Sequence, residues 1–429
     1  MNLKPMCLTD DGWYGNLLRS VRGNTINSVR RRRIKLILRM LGIMKGKWKI
    51  FAVLTGVFLA LAIDLVAAAV DTGKIDICCH KEVLDDGDLR IIDDFVADAV
   101  GELVKTEDFT SIAKIRTVIL SRSSSSKDSA KAQYEEQFSE SAHKCISKAL
   151  EAAKTLTPAE HRFRVILNLL ILVDSLQEPR LADLAIKWLD DENNAIRYWA
   201  VHSVTNPGIT GRLNSGGAAN LELAERITEQ LKGLVESSSP EILALMAGFA
   251  AKVDIPQGEK LLLQIADMRI KRYEDWKVEY ELLDGDILRL LDSKIPAEST
   301  SKPDVAHRFG QLYSYAIQRY VKGRDVLSDT QKNQLASVLV ETEISYISKR
   351  LKVAQSVVKN AVEQGDYTAL LQEHGRLLGD ETKAGQLPLK LNFDYGKKPD
   401  GSRRIAPLAL PEPPKELIPS TKLRTSADN

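Results

Sequence analysis

Aromatic residues make up only 6% of the 429-residue chain, and β-type alternation of apolar and polar residues is rare. Together these argue against sandwich and barrel folds, which draw on aromatic and β-branched side chains. Histidine is sparse: the six are His80, His143, His161, His202, His307 and His374. None belongs to an H-E-x-x-H pair, and no G-x-S-x-G, P-loop or zinc spacing occurs. The chain therefore offers no recognisable enzymatic constellation and calls for no cofactor. Net charge is also small, +2. Residues 1–50 are strongly basic, however, with twelve Lys/Arg against two Asp, so the remainder is acidic and no nucleic-acid partner is expected.

One long apolar run stands out. From Met44, Lys45, Lys47 and Lys49 precede an apolar stretch from Ile50 to Ile63, and Ala67, Ala68 and Ala69 follow it. Lysines held on the cytoplasmic side, a short apolar helix and small residues at a cleavage region describe a signal peptide. The competing reading keeps Ile50–Val70 as a membrane anchor, long enough to cross but carrying Asp64. The cleaved signal is preferred, which places the protein outside the cytoplasm, periplasmic or secreted. Membrane contact is then expected only through this segment. Residues 1–43 are either a non-native extension upstream of a start at Met44 or a basic cytoplasmic segment.

Four cysteines are present. Cys7 would be lost with the leader, leaving Cys78, Cys79 and Cys145. The run ICCHK has the wrong spacing for C-x-x-C-H, and no second Cys/His pair follows at zinc-site distance. A disulfide from Cys78 or Cys79 to Cys145 is the expected use in an oxidising compartment.

What the chain does contain is helical periodicity. Asp88–Lys105, a second helix ended by Ser123–Ser126, and Lys127–Lys154 form an N-terminal helical region, 70–156. The helix after Thr157-Pro158 is apolar almost all round between Val165 and Val173, which requires helical neighbours on both flanks. Next comes EPRLADLAIKWLDD, the turn ENN, and AIRYWAVHSVTN, stopped by Pro207-Gly208. A shift of 46 residues places Leu189 on Val235, Asn194 on Pro240 and Ile196 on Ile242, giving a second helix–turn–helix, and periods in the forties belong to stacked hairpin arrays. Pro207–Asn220 reads as a flexible Gly-rich connector.

The stretch WLDDENNAIRYWAV resembles the HEAT-repeat pattern, through Leu189, Asp190, Ile196, Arg197 and Ala200. The resemblance covers 157–253. It implies an all-α fold of stacked hairpins, a HEAT-like (ARM-type) α-solenoid, in which Asp190 and Arg197 form an inter-repeat brace. The second unit keeps the acid as Glu236 but has Leu243 in the Arg position. Trp188, Ile196, Trp199 and Val204 recur at helical spacing and read as core. His202 has no acid or nucleophile positioned by the local sequence.

A C-terminal helical region, 254–380, follows. Tyr273, Trp276 and Tyr280 fall on one helical face, Phe309, Tyr313 and Tyr320 on another, and Asp329–Gln364 reads as one long helix. Residues 381–429 hold seven prolines from Pro388 onward, which signals a disordered tail. The expected function is a non-catalytic protein-binding or scaffold module of the cell envelope or periplasm, acting on an unidentified protein partner. The alternative is an envelope enzyme whose active site the sequence does not reveal.

Overall fold

Caps and prolines set the helix boundaries in the computed structural model, which describes residues 70–296 and 302–417. Asp85 opens a helix with a capping box to Asp88. Ser328 does the same with Gln331, each pair satisfying two otherwise orphaned amides. Pro179, Pro207, Pro240, Pro256 and Pro303 stand at first-turn positions, where a missing N–H costs nothing. The apolar segment of residues 44–69, Ala67–Ala69 included, lies outside the described residues. Among the described residues no helix is long and apolar enough to cross a membrane.

The helices are α1 (Gly73–Cys78), α2 (Asp86–Lys105), α3 (Phe109–Leu120), α4 (Asp128–Ala153), α5 (Ala159–Leu176), α6 (Pro179–Ile186), α7 (Asn194–Thr205) and α8 (Pro207–Ser215). They continue as α9 (Ala218–Leu234), α10 (Pro240–Lys252), α11 (Pro256–Glu274), α12 (Leu282–Lys294), α13 (Pro303–Lys322) and α14 (Asp329–Thr342). Last come α15 (Ser348–Leu351), α16 (Val357–Gln364), α17 (Tyr367–Leu378) and α18 (Gln386–Leu391). No strand is formed among the described residues, apart from two isolated bridges.

These helices contact one another in two rows. In the first, α2 touches α4, α4 touches α6, and the series runs on through α9, α11, α13 and α17. In the second it runs α3, α5, α7, α10, α12, α14, α16. The core lies between the rows as one continuous apolar cluster. The all-round apolar α5 has α3 and α7 on its flanks, as its sequence requires. Helices α7 and α10 begin at Asn194 and Pro240, the 46-residue offset visible in the sequence.

Four local expectations are corrected. Pro207–Asn220 is not a flexible connector: Asn206 caps α8 by accepting from the Gly208 N–H at 2.9 Å, and Ile209 and Leu213 are buried. Cap and burial outweigh the weak helix propensity of glycine. Helix α11 stops at Glu274, so Trp276 and Tyr280 lie in a loop, both at positive φ (57° and 55°); their spacing only imitated a helical face. The Asp329–Gln364 segment is broken. Buried Glu343 sits in a π-turn and its carboxylate accepts from Val358 N and Lys359 N, capping α16, while Lys352 turns the chain at φ 57°. Finally, Trp188, Ile196 and Val204 are core, but Trp199 is only partly buried. It lies at the edge of the α7 stripe, against Tyr198 and His202.

Candidate functional site

The residues singled out by sequence do not converge. All three described cysteines are free thiols, so the expected disulfide is not formed. Cys79 Sγ donates to Tyr134 Oη at 3.1 Å, whereas Cys145 lies eleven residues further along the same helix, roughly 16 Å by helical rise. Cys78 Sγ donates to Asp88 at 3.5 Å, and burial pushes its pKa up to about 11, away from the reactive thiolate. Among the described residues no His/Cys/Asp/Glu group is arranged to hold a metal ion.

The brace at Asp190 and Arg197 is also corrected. Asp190 is exposed, and Arg197 bonds within its own turn, to Asp191 O at 3.4 Å and to Asn194. A ladder of side-chain contacts joining neighbouring units runs instead along the first row. Gln137 on α4 donates to Asp93 on α2 at 2.6 Å, and Arg180 on α6 pairs with Glu136 on α4 at 2.7 Å. Arg226 on α9 pairs with Asp183 on α6 at 2.7 Å, Gln257 on α11 donates to Glu225 on α9 at 3.1 Å, and Arg308 on α13 pairs with Asp267 on α11 at 2.8 Å. In every rung the acid is on the earlier helix and the donor on the later one. Part of this ladder lines an open groove of about 660 Å³ beside α4, α6, α8 and α9. Its arginines Arg180, Arg212 and Arg226 are each engaged by a carboxylate, so it presents no unspent charge of either sign.

His202, expected without an acid, has one: its Nδ1 lies 2.8 Å from Asp174 Oδ1 on α5, which also accepts from Asn206 at 2.8 Å. This network ties α5 to α7. His374 on α17 lies 2.8 Å from Ser314 Oγ on α13. That is nucleophile–base spacing. Yet Ser314 is fully buried, burial lowers the His374 pKa to about 4, and no carboxylate orients the ring among the described residues. A base so weak and a hydroxyl so enclosed serve packing better than acyl transfer.

The most developed polar arrangement involves the segment expected to be a disordered tail. Through residue 417 that expectation is corrected. After α18, residues 394–404 fold back as a short hairpin, with Tyr395 N bonded to Arg404 O and Arg404 N to Gly396 O. Residues 405–412 then run extended along α13. Gln311, Gln318 and Lys322 are spaced seven and four residues apart, one line on the helix surface. Gln311 Oε1 accepts from Leu408 N at 2.9 Å and its Nε2 donates to Leu408 O at 3.4 Å. Gln318 Nε2 donates to Leu408 O at 3.0 Å and its Oε1 accepts from Leu410 N at 2.7 Å. Lys322 Nζ donates to Leu410 O at 2.6 Å and pairs with Glu412 at 2.7 Å. At the far end, Trp276 Nε1 donates to Pro411 O at 3.1 Å.

Two glycines admit the chain that follows α18. A Cβ on Gly310 would meet Phe393 Cζ at 2.9 Å, and one on Gly379 would meet Ile405 O at 2.5 Å. The Trp276 end is held from below. Arg319 lies under the indole, 5.2 Å from its centre, and bonds Glu281 and Val278 O; its Nε and Nη1 are buried without a hydrogen-bond partner among the described residues. Between strap, α13 and α17 remains a cavity of about 330 Å³.

This groove satisfies the main chain of an extended segment with side-chain amides, so every backbone group it reaches is paired whatever the segment's own side chains are. Sequence reasoning missed it. Two glutamines and a lysine in line on one face of α13 are the available signal. No known protein-family model matches the chain, and a search of curated proteins finds no match either.

Proposed function

We propose that the chain is a HEAT-like α-solenoid acting as a non-catalytic protein-binding or scaffold module of the cell envelope or periplasm, exported through the segment 44–69, and that its ligand is an extended polypeptide seated on α13. The observation that carries this reading is the bonding of Leu408 and Leu410, by their main-chain atoms, to Gln311 and Gln318. Two stacked rows of helices supply a long supporting surface, and each unit buries its apolar face only against its neighbours. A surface that reads backbone N–H and C=O groups is a recurrent way to bind a peptide.

The test uses the full chain carrying Leu410→Asp, which removes the one fully buried anchor of the strap. A labelled peptide with the sequence of residues 403–414 is titrated by fluorescence anisotropy. Saturable binding on the order of micromolar is expected, since the contact is small, with a further loss in the Gln318→Ala background. A peptide that binds neither chain sinks the reading. Export is tested separately by N-terminal sequencing of the protein made from its native gene, with a start near Val70 expected.

A further inference from the structure

The strap fills its groove incompletely. The 330 Å³ cavity left beside it is walled on one side by Val321, Leu371 and His374 and on the other by Ala406, Pro407 and Ala409 of the strap itself. The bonded positions carry leucines: Leu410 is fully buried and Leu408 partly. The positions facing the cavity carry small side chains, Ala406 and Ala409, on either side of Pro407 and Leu408. The main-chain N–H and C=O groups of Leu408 and Leu410 are thus all in use, while the space beside them, lined by Val321 and Leu371 and also by Lys322, Asp380 and Glu381, is not filled. Lys322 adds one side-chain preference, an acid at the position of Glu412.

From this we infer that the strap is a stand-in for a partner's segment, and that the groove is shaped for an extended polypeptide of another protein bearing bulky apolar side chains where the strap has Ala406 and Ala409, the bonded leucines, and an acid two residues after the second leucine. The inference rests on the reading of α13 as a peptide-binding groove. A second copy of this chain would bring the same two alanines and leave the same void, so the occupant is a different polypeptide. The strap is held by side-chain hydrogen bonds and one buried leucine rather than by a sheet or a packed helix, and Ala409, Pro411 and Glu412 are exposed. It can leave without unpacking either row of helices. The partner replaces each main-chain bond one for one and adds burial of the larger side chains, so the exchange is driven by apolar area.

The experiment compares two peptides of residues 403–414, one native and one with Ala406→Leu and Ala409→Leu, on the full chain carrying Leu410→Asp and on the full wild-type chain. On the strap-released chain the filled peptide is expected to bind about tenfold more tightly, the gain that burial of a few methylene groups gives. On the wild-type chain only the filled peptide is expected to bind measurably, because it must displace the strap. Equal affinities, or a weaker filled peptide, overturn the inference while leaving the native peptide's binding in place. Failure of both peptides on the strap-released chain overturns the reading beneath it as well. Should Leu410→Asp not fold, the two leucines are placed in the chain itself. Slower hydrogen exchange at Leu408 and Leu410 is then expected, and unchanged exchange overturns the inference.

Discussion

Arg269 and Asp284 meet where neither side chain has any solvent contact: the guanidinium Nε and Nη2 donate to the two carboxylate oxygens at 2.7 and 2.9 Å. Tyr273 Oη donates to the same carboxylate at 2.7 Å, and Arg269 Nη1 holds Glu279 O at 3.1 Å. The pair thereby fixes both ends of the loop that presents Trp276 to the strap. Removing one partner leaves the other charged and dry. Asp284→Ala is expected to cost about 3–5 kcal/mol, whereas Arg226→Ala, which breaks a half-exposed rung of the ladder, should cost only about 0.2–1 kcal/mol. Urea melts of both variants check the order, and equal losses would refute it.

Trp199 lies at the rim of the α7 stripe, so Trp199→Ala removes less buried area than a fully enclosed aromatic would. The expected loss is about 1–2 kcal/mol, below the roughly 3–5 kcal/mol of a core aromatic truncation. Trp188→Ala, at 8% exposure, is expected to cost more. A thermal melt showing the reverse ranking would place Trp199 inside the core.

His374 gives the fold a pH dependence of definite sign. Its folded pKa, lowered to about 4 by burial, lies below the ordinary value near 6.5. The unfolded chain therefore binds the extra proton between those limits, and stability rises with pH there. The contribution is complete above about pH 6.5 and is lost as the pH falls to 4, on the order of 3 kcal/mol. Stability curves of the parent and His374→Gln, measured from pH 7 to 4, should converge towards the acid end. Parallel curves would show that His374 does not titrate in this window.

Gln318 touches the strap at both Leu408 and Leu410 and also donates to Ser314 at 2.9 Å. Gln318→Ala leaves the buried Leu410 amide without its acceptor, at a cost of about 1–3 kcal/mol. Hydrogen exchange should show the loss confined to the strap, with α13 and the two rows keeping their protection. Uniform loss across the chain would mean that Gln318 supports the fold rather than the strap.

Much of the architecture was legible because its signals are local. Periodicity marked the helices, and Asn194 and Pro240 carried the offset of two units. The joining contacts were not legible. The local pair Asp190 and Arg197 matches the brace pattern in sequence, while the rungs connect residues 32 to 44 positions apart, as in Gln257–Glu225, Arg308–Asp267, Arg226–Asp183 and Gln137–Asp93. The strap was harder still. Proline-rich sequence cannot form helix, and composition alone does not distinguish an ordered extended segment from a disordered one. The groups that order it are main-chain atoms bound by Gln311 and Gln318 some 90 residues away, and main-chain atoms leave no residue pattern.

The bond from the Trp276 indole to Pro411 O has an optical consequence. Three tryptophans lie among the described residues, Trp188, Trp199 and Trp276, and of these only Trp276 is hydrogen-bonded to the strap. When the strap lifts, that indole loses its acceptor and meets water, while its cationic neighbour Arg319 stays beneath it. Its emission therefore shifts to longer wavelength with the strap's departure and returns with its replacement. The protein thus carries its own gauge of whether the strap is seated on α13.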